Sequence, residues 1–126
     1  MSDWIHFENA TYLAEQAFLV AADNSAVLLE QTLIKVYTGG GGKRSLSGTG
    51  LIRNILLVEL LEENDDLDLI LDFGGEFKYR LKTPEISAGK VFSPNVKSSI
   101  QFTPSAPWHQ IPESEFDVLL SRLKFL

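Results

Sequence analysis

Three groups of residues in this chain are of types that could do chemistry. The first is the run Gly39-Gly40-Gly41-Gly42, followed by Lys43-Arg44-Ser45. Successive backbone N–H groups with glycine's freedom can surround an anion, and the two cations and the hydroxyl would add to its binding. The spacing departs from both common phosphate-binding signatures. A Walker loop needs Gly where Tyr37 stands and Ser or Thr where Arg44 stands, and a dinucleotide fingerprint begun at Gly48-Thr49-Gly50 needs Gly at Arg53. The segment therefore reads as a flexible Gly/Ser/Thr-rich loop from Gly39 to Gly50, with Lys43 and Arg44 as candidate anion-binding residues. Because such a loop buries little, the run is expected to lose two glycines without loss of the fold.

The second group is acidic. Asp68 and Asp72, with Glu59 on the same sheet face, have the chemistry for acid/base work or for a hard cation. The strand register derived below sets a lysine across from each Asp, which assigns both to structure. The run Glu62-Glu63-Asn64-Asp65-Asp66 lacks the ligand order and the glycine of a calcium loop, so no metal site is read there. It reads as a solvated turn whose Glu62, Glu63, Asp65 and Asp66 are candidates for meeting a basic partner.

The third group pairs histidine with tryptophan, in Trp4-Ile5-His6 and Trp108-His109. Either imidazole has the chemistry of a general base, and two with a carboxylate could hold zinc, but no ligand spacing accompanies them. Ser45 or Ser47 could be combined with His109 and an Asp, yet no nucleophile elbow is present. No catalytic residue, metal site or cofactor is assigned. A tryptophan in a proline-bounded loop is a common interface anchor, so Trp108 and His109 join the partner-binding candidates.

The elements that must position these residues follow from periodicity. Glu8 to Ala22 is rich in helix formers, with Asn9 as N-cap and Asp23-Asn24 as a break, and predicts a first helix. Ser25 to Tyr37 fits two periods at once. Leu29, Leu33, Val36 and Tyr37 suit a helix, which is the reading preferred here, while Thr32, Ile34 and Val36 suit a strand. Ile55–Leu61, Leu67–Phe73 and Phe77–Lys82 predict a three-stranded antiparallel meander, and Val96–Thr103 a fourth strand. A loop of Gly74-Gly75-Glu76 is the one connection that keeps like opposite like. It sets Phe73 across from Phe77, Asp72 from Lys78, Leu71 from Tyr79, Leu69 from Leu81 and Asp68 from Lys82. On the other side, pairing Glu62 with Leu67 sets Leu60 across from Leu69 and Val58 from Leu71. One sheet face is then wholly apolar. The other mixes Ile55, Leu57, Leu61 and Ile70 with charges, as expected of a face half covered by a helix or another chain. From Glu113 onward the chain reads as an amphipathic helix, with acids at its start and Arg122 and Lys124 near its end, packed on the sheet.

The fold expected is thus α+β, an antiparallel sheet of about four or more strands with N-terminal helical structure and a C-terminal helix on one face, forming a single globular domain over 1–126. Composition narrows the function. The chain has no cysteine, which removes disulfides, thiolate metal sites and cysteine nucleophiles. Its net charge of -6 disfavours nucleic acid and anionic membranes as partners, and no apolar run reaches the ~18 residues of a membrane span. Without a secretory pattern at Met1-Ser2-Asp3-Trp4 a cytoplasmic address is expected. The function expected is a non-catalytic protein-binding domain, most concretely an acidic inhibitor or immunity-type protein masking a basic partner. A chaperone or adaptor, a ligand-binding or enzymatic domain using the Gly-rich loop, and a homo-oligomer joined through the mixed sheet face are the alternatives.

Overall fold

The computed structural model describes residues 7–56, 66–88, 97–105 and 107–125. Over these residues the chain is mostly antiparallel sheet, curled into a half-barrel. The strands are β1 (Ala10–Leu13), β2 (Gln16–Ala21), β3 (Ser25–Thr38), β4 (Arg44–Arg53), β5 (Leu67–Asp72), β6 (Lys78–Leu81), β7 (Glu85–Ala88), β8 (Lys97–Thr103), β9 (His109–Gln110) and β10 (Lys124–Phe125), with helix α1 (Glu113–Arg122) between the last two. They run across the sheet in the order β7-β8-β4-β3-β2-β5-β6-β9, while β1 and the parallel β10 add to β3. Among the described residues no helix is long and apolar enough to cross a membrane.

The expected N-terminal helical structure is absent, and α+β is corrected to a predominantly antiparallel β architecture. The physical reason lies in β2. Ala17, Leu19 and Ala21 point into the curl, while Phe18 and Val20 lie in a second cluster with Phe116 of α1, so both faces of the strand are buried. A strand buried on both faces loses its alternation. Burial of each large side chain contributes about 1.5–3 kcal/mol, which outweighs the few tenths separating helix and strand propensities. The Asp23-Asn24 break is a tight turn in which Asn24 has φ 70. There the Ser25 amide, donating to the Asp23 carboxylate, holds that carboxyl below its usual range.

β3 shows why two periods fitted one segment. Leu29 and then Thr32, Ile34 and Val36 are buried, so the inward set steps by three residues once before resuming steps of two. The cause is a bulge: Glu30 pairs with Leu51 but Leu33 with Thr49, leaving one extra residue on β3, and Gln31 adopts φ 48. One extra residue in a strand imitates the spacing of a helix turn. The predicted helix over 25–37 is therefore corrected to a long bent strand.

The β5–β6 hairpin has the expected register. Leu69 faces Leu81, Leu71 faces Tyr79, Asp72 faces Lys78, and the Phe73 amide donates to the Phe77 carbonyl at 2.8 Å. The expected partner on the other side of β5 is corrected, because β2 occupies that edge, with Leu19 across from Leu69 and Ala17 from Leu71. Residues 55 and 56 are helical rather than strand, and the rest of that predicted strand lies outside the described residues. The predicted loop from Gly39 to Gly50 shrinks to its first residues, since β4 begins at Arg44. Its Leu46, Gly48, Gly50 and Ile52 alternate inward, and a Cβ at Gly48 would lie 2.1 Å from the Phe102 ring.

The core follows from the curl. The apolar face of β5 and β6 lines the inside, where Leu69, Leu71 and Leu81 meet Ile34, Ile52, Ile100 and Phe102 from the other end of the sheet. The mixed face lies outside, and α1 covers part of it through Phe116, with Leu119, Leu120 and Leu123 against Phe18, Val20 and Ile70. Helix α1 was legible in advance, acids Glu113 and Glu115 in its first turn and Arg122 in its last.

Candidate anion-binding site

The glycine run forms the tip of the β3–β4 hairpin. The Gly39 amide donates to the Lys43 carbonyl at 2.8 Å, and a 3₁₀ turn over Gly40–Gly42 closes the tip, with Gly41 and Gly42 both at φ 78. Such φ values favour glycine, which accounts for Gly41 and Gly42 without invoking a ligand. Immediately after the tip, Lys43, Arg44 and Ser45 line a concavity of about 350 Å³. Its opposite wall comes from the end of β8 and the segment that follows: Thr103, Pro104, Ser105 and Pro107, with Tyr37 of β3 completing it. Tyr37 and Ser45 are directly opposed across the β3–β4 ladder.

Charge singles this concavity out. Three further concavities lined by described residues each include a carboxylate. One, of about 480 Å³ beside α1, has Arg80 and Arg122 but also Glu115, and Arg80 is paired with Asp68 at 2.5 Å. Another, of about 410 Å³, holds Lys97 paired with Glu30 at 2.6 Å, and the third includes Glu85. The concavity beside the glycine tip has no carboxylate in its lining. Lys43 is exposed and makes no ion pair among the described residues. Arg44 is engaged elsewhere: its guanidinium donates to the Phe7 carbonyl and, at 3.2 Å, to Asn9 Oδ1, pinning the chain that leads into β1.

Backbone strain adjoins the same place. Thr83, a β-branched residue preceding Pro84, has φ 42, a conformation of real cost for its type. It is held by its amide donating to Asp68 Oδ1 at 3.0 Å and by its carbonyl accepting from Ser105 Oγ at 2.9 Å. Ser105 is one of the residues lining the concavity.

The remaining sequence candidates are dispersed. Trp108 is 6% exposed and stacks on Tyr79 with ring centroids 4.3 Å apart, so the expected interface anchor is a core residue instead. Burial pushes the Tyr79 hydroxyl above its ordinary 10.0, and the charge of Glu76 adds to the shift. His109 lies exposed on β9. Asp66 is exposed just before β5, and Glu62, Glu63, Asp65, His6 and Glu59 lie outside the described residues. Among the described residues no three His, Asp or Glu side chains are grouped as metal ligands would be.

The two aspartates are structural, though not as cross-strand surface pairs. Asp72 and Lys78 are 5% and 6% exposed, with Lys78 Nζ 3.6 Å from Asp72 Oδ1 and 5.1 Å from the Phe116 ring centroid. Gln16 Nε2 and the Gly74 amide donate to the same carboxylate, and Lys78 also donates to the Gly75 carbonyl. The predicted Asp68–Lys82 pairing is corrected: Asp68 takes two hydrogen bonds from Arg80, whose planar fork fits a carboxylate better than an ammonium does.

Sequence reasoning found Lys43 and Arg44 but missed Tyr37, Thr103 and Ser105. The alternation Ser45, Ser47, Thr49 against Leu46, Gly48, Gly50 was a readable strand signal, and it would have placed Tyr37 beside Ser45. Nothing in the sequence brings β8 next to β4. No protein family matches the chain, and no curated protein or solved structure is similar enough to be matched.

Proposed function

We propose that this protein is a non-catalytic binding domain, acting at a cytoplasmic address, whose site is the concavity beside the β3–β4 tip and whose ligand carries an anionic group. A single observation carries this reading: in a chain of net charge -6, one concavity is lined by Lys43, Arg44 and hydroxyls and by no carboxylate. An ammonium and hydroxyls facing one space favour an anion over a cation or a neutral polar ligand. Masking of a basic partner ranks second. Asp66, Glu113, Glu115 and Asp117 are exposed and favour it, but the buried Trp108 leaves it without its aromatic anchor.

The test is a titration of the ¹⁵N-labelled protein with sodium phosphate at constant ionic strength, followed by amide shifts. Saturable shifts confined to Lys43–Ser45 and Thr103–Ser105, weakened at least fivefold by Lys43→Gln, are expected. Shifts scattered over the surface, or none at millimolar phosphate, would overturn the reading.

A further inference from the structure

We infer that the ligand is a ring bearing a phosphate ester, with its ring on Tyr37 and its phosphate between Lys43 and the hydroxyls of Ser45 and Thr103. This inference rests on the anion-binding reading and adds the ligand's chemical class to it.

The form of the anion follows from which donors remain available. A carboxylate is matched best by the two parallel N–H groups of a guanidinium. In this site that fork is already engaged, because Arg44 holds the Phe7 carbonyl and Asn9. What remains is an ammonium, a point charge with three donors, and hydroxyls approaching from two different strands. The hydroxyls of Ser45 on β4 and Thr103 on β8 make no hydrogen bond to the protein among the described residues. Donors converging from several directions suit a tetrahedral anion with three acceptor oxygens.

The ring follows from the aromatic residue in the lining. Tyr37 is 37% exposed, and Leu46, Pro104 and Pro107 add apolar surface elsewhere in the lining. Because Tyr37 and Ser45 are directly opposed, their Cβ atoms are about 5 Å apart, so the aromatic face and the anion donors are immediate neighbours. A ligand using both must carry its phosphate directly on, or one atom from, a ring. The volume of about 350 Å³ exceeds the needs of a bare phosphate and falls at the low end for small organic ligands. The strained Thr83, tied to the lining residue Ser105, is a further mark of a site held in place for a ligand.

The experiment compares inorganic phosphate, phenyl phosphate and adenosine monophosphate by calorimetry on the full chain, wild type and with Tyr37→Ala and Lys43→Gln. The ring esters are expected to bind at least tenfold more tightly than phosphate. Tyr37→Ala should remove that advantage and leave the affinity for phosphate within twofold, while Lys43→Gln should weaken all three probes. Amide shifts of both variants check that the fold is kept. A tyrosine-phosphorylated peptide set against free phosphotyrosine locates the source of the ring: tighter binding of the peptide points to a protein, equal binding to a small molecule. If phosphate and phenyl phosphate bind equally, the ring inference is overturned and the anion site stands. If no probe binds, both are overturned.

Discussion

Two hairpins of this molecule carry glycine at their turns, β3–β4 at Gly39–Gly42 and β5–β6 at Gly74–Gly75, and the surroundings use those glycines differently. At β5–β6 the turn is packed. A Cβ on Gly74 would come within 2.9 Å of the Glu15 carboxylate, and the adjoining Asp72–Lys78 pair is buried beneath Phe116. At β3–β4 a Cβ on Gly40, Gly41 or Gly42 would meet nothing within 4 Å, and the adjoining Lys43 is exposed. Glycine therefore marks a turn in both cases, but only one turn is knit into the core. Burial, rather than composition, decides which charged neighbour is structural and which is free to bind.

The largest expected effect separates the two lysines. Lys78→Met removes the counter-charge from a buried carboxylate that keeps only the Gln16 and Gly74 donors, and should destabilise by about 3 kcal/mol or more. Lys43→Met should stay within about 0.5 kcal/mol of wild type. Urea unfolding of both variants reads the difference directly. A loss below about 1 kcal/mol for Lys78→Met would mean that the pair is solvated and the two hairpins are alike.

The next effect lies within β4 itself. Gly48→Ala sets a methyl against the Phe102 ring and the Leu33 carbonyl, the latter 2.7 Å away, and should cost about 3 kcal/mol through overpacking. Gly40 meets nothing and has no positive φ, so Gly40→Ala should be neutral or slightly stabilising. Thermal unfolding of the pair checks this. Equal melting temperatures would show that β4 does not bring Gly48 against Phe102.

These contrasts also show what the sequence could and could not disclose. The β5–β6 register was legible because one face of each strand is apolar, so a slip by one residue would have exchanged core and solvent. Helix α1 was legible from the spacing of Phe116, Leu119, Leu120 and Leu123. β2 was hidden because its burial on both faces erases alternation, and β3 because its bulge at Glu30-Gln31 shifts the inward set. Of the candidate site, Lys43 and Arg44 stood out as cations after a glycine run. Tyr37 did not, since the segment 25–37 fits a helical period as well as a strand, and Thr103 and Ser105 did not, since their proximity depends on β8 pairing with β4 across a long stretch of sequence. Trp108 misled for a related reason: its proline-bounded loop suggests exposure, while the curl of the sheet supplies Tyr79 and Phe7 to bury it.

The smallest effect concerns the exposed tip, and the structure sharpens what the glycine run alone suggests. With Gly39 hydrogen-bonded to Lys43, only Gly40, Gly41 and Gly42 form the connection. Removing one of them leaves a two-residue Gly-Gly loop, a length that favours the primed turns and accepts positive φ at both positions. Closure entropy changes by less than ~1 kcal/mol, so the single deletion should melt close to wild type. Removing two leaves one residue, too few for a hairpin turn. The Gly39–Lys43 pair must then open, and the tip must either fray or move the strands by a residue. A slip of one would turn either Leu46 outward with Ser45 and Ser47 inward, or Val36 and Ile34 outward, so fraying is the cheaper response. The double deletion should therefore keep the β3–β4 amide contacts from Val36 and Leu46 inward, lose those at Thr38 and Arg44, and weaken phosphate binding with them. Intact contacts at Thr38 and Arg44 in the double deletion would show that the tip is looser than a hydrogen-bonded turn, and would detach the candidate site from the geometry of the hairpin.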